Sequence, residues 1–203
     1  MKVTIERAAL LKALGHIHRI VERRNTIPIL SNVLIEAKNG QLELKATDLD
    51  LEATEVAPAD VAQAGATTVS AHIFHDIVRK LADGAQVSLE IVSDTGQMLL
   101  RSGRSRFNLQ CLPASDFPDL TTGDFAHKFD LPAVELRRLI DNAQFAISTE
   151  ETRYYLNGIY FHTAESDGKT MLRAVATDGH RLARIEVPAP AGAAGMPGVI
   201  APR

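Results

Sequence analysis

Asp178 and His180, two residues apart in the stretch "ATDGHR", are the side chains whose types and spacing best suit proton transfer. On a strand, residues i and i+2 share a face, so a carboxylate there could orient an imidazole as an acid–base pair. Three features weigh against that chemistry. An equivalent stretch earlier in the chain, "ATDLDL", carries no histidine. No motif places a serine or cysteine nucleophile beside the pair. Asp-Gly is also simply a turn, because glycine accepts a positive φ and the aspartate can bond the backbone two residues on. The turn reading leaves His180, Arg181 and Leu182 displayed on the following strand. Other candidates are weaker still. His16 and His18 point apart on a helix, which is not a metal-ligand spacing. "SGRSRF" at 102–107 has too few glycines for a phosphate loop. The expectation is a chain with no catalytic residue, no metal ligand and no cofactor.

The elements that must position these residues form a repeat. Shifted by 126 residues, Val3 falls on Phe129, Ile5 on Leu131, Leu10 on Leu136, Leu14 on Ile140 and Val21 on Ile147. Leu30, Val33 and Ile35 fall on Leu156, Ile159 and Phe161 at the same offset. After the polar turns "KNGQ" and "ESDGKT" the offset becomes 130 and the two Ala-Thr-Asp triplets coincide. A longer second hairpin explains the change, since loops accept insertions. A period this long means whole domains in tandem.

Periodicity in the first copy predicts a strand at 2–5, a helix at 7–22 and strands near 31–37, 41–47 and 50–56. A second helix at 72–82 and strands near 86–92, 97–101 and 104–111 follow. The Pro- and Gly-punctuated stretch 112–124 reads as exit and linker. The second copy reads as a strand from Lys128, a helix at 132–147 and further strands, with 198–203 lying over 67–72. The expected domains are 1–122 and 128–203, joined by 123–127; the second lacks its later half, so the chain looks like a fragment.

Composition excludes several classes. The 203 residues are 45% hydrophobic and 23% charged, with a formal net charge of −3. No apolar run approaches the roughly 20 residues of a membrane span, and charges interrupt the N-terminus, unlike a signal peptide. The single cysteine, Cys111, fits a reducing cytoplasm. A negative total argues against a generally basic protein but leaves room for a locally basic face.

The helices supply such a face. Leu10, Leu14, Ile17 and Val21 form an inward stripe, whereas Lys12, His16, Arg19 and Arg23 recur on another. On the second helix Phe74, Ile77 and Leu81 face in, and His72, Arg79 and Lys80 face out. Arg137 and Arg138 are exposed in the second copy, diluted by Asp141. Two readings stay open: solvated helix faces, or sequence-independent contacts with phosphates.

The strings "TIPILSN", "RSGRSRFNLQCLPASDFP", "RYYLNG" and "ATDGHRLA" resemble the bacterial DNA polymerase III β subunits, the sliding clamps, along the whole chain. The resemblance implies an α+β DNA-clamp fold of three tandem domains, each with two helices packed on antiparallel sheets. This chain would hold the first domain and part of the second, with the third absent. Two subunits would close head to tail around duplex DNA as a non-catalytic processivity factor. The DNA polymerase III α subunit, clamp loader and repair proteins would bind through short linear motifs. By resemblance Arg24, Tyr154 and Tyr155 sit at DNA-contacting positions, joining Lys12, Arg79, Arg137 and Arg138. The family often has a glutamine in the loop before the tyrosines, where this chain has Thr149, Glu150 and Glu151; Tyr155 could equally be a packing residue. Leu156, Thr177, Gly179, His180, Arg181 and Leu182 match one side of the peptide pocket, with a core role open for Leu156. Ile73, Ile77, Phe107 and Leu109, beside the strand from Arg104 to Leu109, would anchor the subunit interface. Against the ring stand a two-domain DNA-binding module that never encircles its ligand and a hydrolase using Asp178 and His180.

Overall fold

Strict alternation starts the chain: β1 (Lys2–Glu6) buries Val3 and Ile5 and exposes Lys2. Glu6 then caps α1 (Arg7–Ile17), its carboxylate accepting the Ala9 N–H at 2.9 Å. The backbone N–H groups of Ala8 and Ala9 hold that carboxyl below the usual range. Leu10, Ala13, Leu14 and Ile17 are buried. The helix ends five residues earlier than its periodicity predicts. At its end His18 closes the last turn with an ordinary N–H bond to the Leu14 carbonyl (3.0 Å), and its ring Nδ1 lies 2.8 Å from the same oxygen. Val21 stays buried, so the apolar stripe outlasts the helix that it suggested.

The computed structural model describes residues 1–21, 26–92, 96–119 and 125–203, and it falls into two units, Met1–Thr121 and Thr122–Arg203. In unit 1, α1 is followed by β2 (Asn32–Lys38), β3 (Gln41–Thr47), β4 (Glu52–Pro58), β5 (Asp60–Gln63) and β6 (Gly65–Ser70). Then come α2 (Ala71–Lys80), β7 (Gln86–Val92), β8 (Gln97–Ser102) and β9 (Ser105–Leu112). The strands form one antiparallel sheet in the order β4-β3-β2-β6-β9-β8-β7-β1-β5. The two helices pack on each other, α1 against β3 and β4 and α2 against β6, and the core lies between helices and sheet.

Strands β5 and β6 had no clear signature. β5 (Asp-Val-Ala-Gln) is almost wholly exposed, and β6 buries two consecutive threonines, Thr67 and Thr68, on opposite faces, so neither strand shows apolar alternation. Thr68 is accommodated because its hydroxyl donates to the Leu112 carbonyl (3.0 Å) and accepts from Asn32 Nδ2 (2.9 Å).

Unit 2 repeats the plan. Its helix α3 (Ala133–Ala143) lies 126 residues beyond α1, with a 3₁₀ turn at Gln144–Ala146 where a continuous helix to 147 is predicted. A further 3₁₀ segment, Glu151–Leu156, leads into β10 (Gly158–Ser166), β11 (Lys169–Thr177), β12 (Leu182–Pro188) and β13 (Val199–Pro202), ordered β12-β11-β10-β13. Pairing registers match copy to copy. Leu34 faces Lys45 as Tyr160 faces Val175, and Thr47 faces Glu52 as Thr177 faces Leu182.

Two expectations are corrected. The segment from Lys128 is not a strand: β1 in unit 1 is held by β5 and β7, and no strand pairs with 128–132 among the described residues of unit 2. Phe129 and Leu131 still pack on the unit 2 core. The last strand is shifted by one residue from its predicted alignment: Asn32 faces Ser70 whereas Gly158 faces Pro202, so 199–202 correspond to 67–70. A one-residue slip exchanges the faces of a strand.

Unit 2 also leaves its helix half covered. Leu10 and Leu14 are wholly buried in the unit 1 core, but their counterparts Leu136 (42% exposed) and Ile140 line an open groove of about 410 Å³ with Ile147, Ile159 and Phe161.

Candidate functional site

The opening triplet builds a turn that projects from unit 2. Thr177 Oγ1 accepts the Gly179 N–H (3.1 Å) and donates to the Arg181 carbonyl (2.7 Å). Asp178 Oδ1 accepts the N–H groups of His180 (3.0 Å) and Arg181 (2.9 Å), and its Oδ2 accepts Arg181 Nε (2.9 Å). Those donors hold the carboxyl down to about 2, the two backbone N–H groups contributing most. Asp178 is therefore a permanently ionised corner post. Both its oxygens are occupied, and neither bonds the His180 ring among the described residues, so the acid–base pair does not form. The corner itself, Gly179, has a φ of +89° that glycine adopts without strain, and a Cβ there would lie 3.2 Å from the Arg153 guanidinium.

Around this corner the structure gathers side chains from three segments. Arg153 pairs with Glu150 at 3.1 Å and lies over Gly179. The Arg181 guanidinium sits 5.7 Å from the Phe145 ring centre, on a ring that is 56% exposed. The Leu156 carbonyl accepts the Ser148 N–H at 3.0 Å, closing the loop that carries the tyrosines. Leu156 and Thr177 are half-buried, while Gly179, His180, Arg181 and Leu182 are exposed, Leu182 by 65%. Five of the six positions, Thr177 and Gly179 to Leu182, thus share one partly exposed turn, and Leu156 lies on the segment whose Arg153 reaches over Gly179. Phe145 and Arg153 adjoin these positions although their types and spacing did not announce them; the one available signal is that Phe145 falls off the apolar stripe of α3.

Tyr154 (79% exposed) and Tyr155 (56%) meet edge to face at 5.7 Å between ring centres. Neither is in the core of unit 2. Lys12, His16 and Arg19 are exposed on and just after α1, with His16 bonded to Glu55 at 2.7 Å. Arg23 and Arg24 lie outside the described residues. Arg79 is exposed beside Asp76 (3.3 Å), and Arg137 and Arg138 are exposed beside Asp141 (3.2 Å) and Glu135 (3.6 Å). His72 is not outward-facing: its Nε2 reaches the Val21 carbonyl at 2.8 Å.

A separate groove of about 370 Å³ lies between α2 and β9, lined by Ile73, Asp76, Ile77, Lys80, Leu81 and Phe107 among others. Beyond β8, strand β9 is paired with β6 only at Cys111 and Leu112, which leaves the edge alongside this groove open. Leu109 is not part of this surface. It shares a strand face with Phe107 but lies deeper, 6% exposed in the core, so it supports the groove from below.

Known families and structures resemble both units. Residues 1–121 match the family model of the DNA polymerase III beta subunit, N-terminal domain, and residues 130–203 match that of its central domain. A curated beta sliding clamp of Caulobacter vibrioides is 57% identical over all 203 residues, which cover 55% of that protein. The solved beta sliding clamp of C. crescentus superposes with a TM-score of 0.95 at 57% identity, covering 100% of this chain and 54% of that one. A sliding clamp from Bartonella birtlesii, solved bound to griselimycin, gives 0.93 at 56% identity and the same coverage. The chain spans about half the length of the relatives it matches.

Proposed function

The chain belongs to the DNA polymerase III beta subunit family, and from that membership we propose that it forms the first one and a half domains of a ring-shaped sliding clamp. The two units, 1–121 and 122–203, are the first domain and the start of the second. The whole protein encircles duplex DNA without reading its sequence and tethers the polymerase and other replication and repair proteins. The observation that carries this reading is the match of successive halves of the chain to successive domains of one family.

The geometry supplies a physical account. Topology holds a ring on DNA, so its lining needs only weak phosphate contacts, and base-specific contacts would pin it. Lys12, Arg79, Arg137 and Arg138 are exposed helical cations suited to such contacts, with Arg24, Tyr154 and Tyr155 assigned beside them. Several have an acidic neighbour, which weakens each contact and favours sliding. No step requires catalysis, a metal or a cofactor.

The rim from Leu156 to Leu182 is half of a groove for a short linear peptide. Leu156 and Leu182 offer apolar surface, and Arg181, steadied by Asp178 and Phe145, offers guanidinium donors. The groove of Ile73, Ile77 and Phe107, with the open edge of β9, is the face that meets a second subunit. Among the described residues no helix is long and apolar enough to cross a membrane, and the cytoplasm is the compartment this role assigns.

The test uses the full-length product on circular and linearised DNA. Retention on the circle and loss on linearisation is expected. Equal retention on both would replace the clamp with a DNA-binding module that does not encircle its ligand.

A further inference from the structure

Three histidines meet where α1 ends against α2. The rings of His18 and His75 are stacked at 3.9 Å between centres and 7° between planes, and His72 stands edge-on to His18 at 5.8 Å. Their tautomers follow from their partners, since a carbonyl only accepts. His18 Nδ1 lies 2.8 Å from the Leu14 carbonyl and so carries its hydrogen, leaving Nε2 to take a second proton. His72 Nε2 lies 2.8 Å from the Val21 carbonyl, leaving Nδ1 free. The segment after α1 is therefore tied to α2 twice, by the His18–His75 stack and by the His72–Val21 bond.

We propose that this histidine cluster is a proton-operated latch, closed while its rings are neutral and opened as protons accumulate on it. Stacked neutral imidazoles attract, whereas two imidazoliums at this separation repel in a site that water only partly reaches. Opening frees residues 18–21 from α2 and leaves the buried stripe of α1 in place. The charged groups acting on His75 among the described residues are His18 across the stack and Asp76 and Arg79 on its own helix. Burial, then the neighbouring His18, disfavours the charged form of His75, and Arg79 adds to this. Asp76, 3.7 Å from Nδ1, opposes them without reversing the direction. Folding thus prefers neutral His75, and the preference is lost as pH falls below the ordinary histidine value. The device lies wholly within unit 1 and stands apart from the clamp reading.

The test is hydrogen exchange and ring titration by NMR on the full chain between pH 7.5 and 5.0. The amides of His18 and Ile20, bonded to Leu14 and Ile17, are expected to lose protection roughly fivefold after correction for intrinsic exchange. The His75→Phe variant keeps an aromatic ring in the stack without its proton and is expected to lose most of that dependence. Unchanged wild-type protection, or the same fall in His75→Phe, overturns the proposal. Should that variant fail to fold at pH 7.5, the wild-type titration decides. A His75 ring that titrates as an unperturbed imidazole overturns the latch, and a midpoint displaced downward sustains it.

Discussion

Leu49 and Gly179 hold the same left-handed corner of one turn used twice, at φ of 81° and 89°. In unit 1 Thr47 Oγ1 accepts the Leu49 N–H at 3.0 Å and donates to the Leu51 carbonyl at 2.8 Å, while Asp48 Oδ1 accepts from Asp50 (2.9 Å) and Leu51 (2.6 Å). Every one of these bonds recurs in unit 2, 130 residues on. The threonine and aspartate, rather than the residue at the corner, specify the turn. Unit 1 therefore carries a leucine where only glycine is at ease.

An exchange at that corner has opposite effects in the two units. Leu49→Gly relieves roughly 1 kcal/mol of left-handed strain, partly offset by the flexibility glycine adds to the unfolded chain. We expect unit 1 to gain about 0.5 kcal/mol in urea unfolding, since Leu49 is 47% exposed and buries little. Gly179→Ala introduces the strain and crowds Arg153, and should cost unit 2 about 1 kcal/mol. A loss of stability on Leu49→Gly would show that the leucine contributes more by packing than the conformation costs.

Acid should open the second turn from its aspartate. Asp178 has a folded value of about 2 against 3.8 in the unfolded chain. Its contribution is therefore present above pH 3.8 and is lost as pH falls through about 2. The Asp178 carboxyl resonance should titrate near that lower value, and the His180 and Arg181 amides should lose protection in parallel. Asp178→Asn should remove this dependence. An ordinary carboxylate midpoint would mean that the turn does not hold its aspartate in solution.

Legibility followed physical cause. The repeat was readable because both copies carry the same apolar stripe, Leu10 and Leu14 on α1 and Leu136 and Ile140 on α3. The turn was readable because Thr-Asp plus Gly is local chemistry. The end of α1 was not, because Val21 continues the stripe while His18 caps the helix with a bond that leaves no periodic trace. Strand β6 was missed because its buried Thr67 and Thr68 rely on partners far along the chain. Phe145 and Arg153 were missed at the rim because only the folded loop brings them over Arg181 and Gly179. The pocket and interface positions proposed here come from the resemblance as a set, and of these Leu109 lies in the core.

Arg7 staples the end of α2 and should be costly to remove. Its guanidinium donates to the Val78 carbonyl (3.1 Å), the Arg79 carbonyl (2.7 Å) and the Asp83 carboxylate (2.6 Å). The side chain is only 14% exposed, so truncation strands helix-terminal carbonyls in a poorly hydrated place. Arg7→Ala should destabilise unit 1 by about 2 kcal/mol in thermal or urea unfolding, and Arg7→Lys, with one point charge and no fork, should recover less than half. A cost below about 0.5 kcal/mol would reduce the interaction to an exposed ion pair with Asp83.

Unit 2 should be the weaker of the two within these 203 residues. Leu136 is 42% exposed where Leu10 is fully buried, so it forgoes part of the about 1.5–3 kcal/mol that full burial of a leucine contributes. Amides of α3 should exchange faster than those of α1, and an apolar dye should bind at the groove of Leu136, Ile140 and Phe161. Leu136→Glu should abolish dye binding while leaving α1 exchange unchanged. Equal protection of the two helices would mean that another part of unit 2 makes up the missing burial.

In the full-length protein, DNA loading and peptide binding should separate by mutation. Arg79→Ala removes one of the cations proposed to meet phosphate, so it should weaken DNA loading uniformly across sequences and lower the salt slope by about 1. Its effect on peptide affinity should be negligible, because α2 and the Leu182 rim belong to different units. Leu182→Ala strips exposed apolar surface from the rim and should cost a bound peptide about 1–2 kcal/mol, roughly tenfold, with loading unchanged. Arg181→Ala should cost more than its exposure suggests. It also unpairs Asp178 and uncovers Phe145, so the turn itself loosens. Salt-dependent DNA retention and peptide titration on the same three variants decide the matter. Parallel losses on both readouts for Arg79→Ala and Leu182→Ala would show that the two surfaces do not act separately.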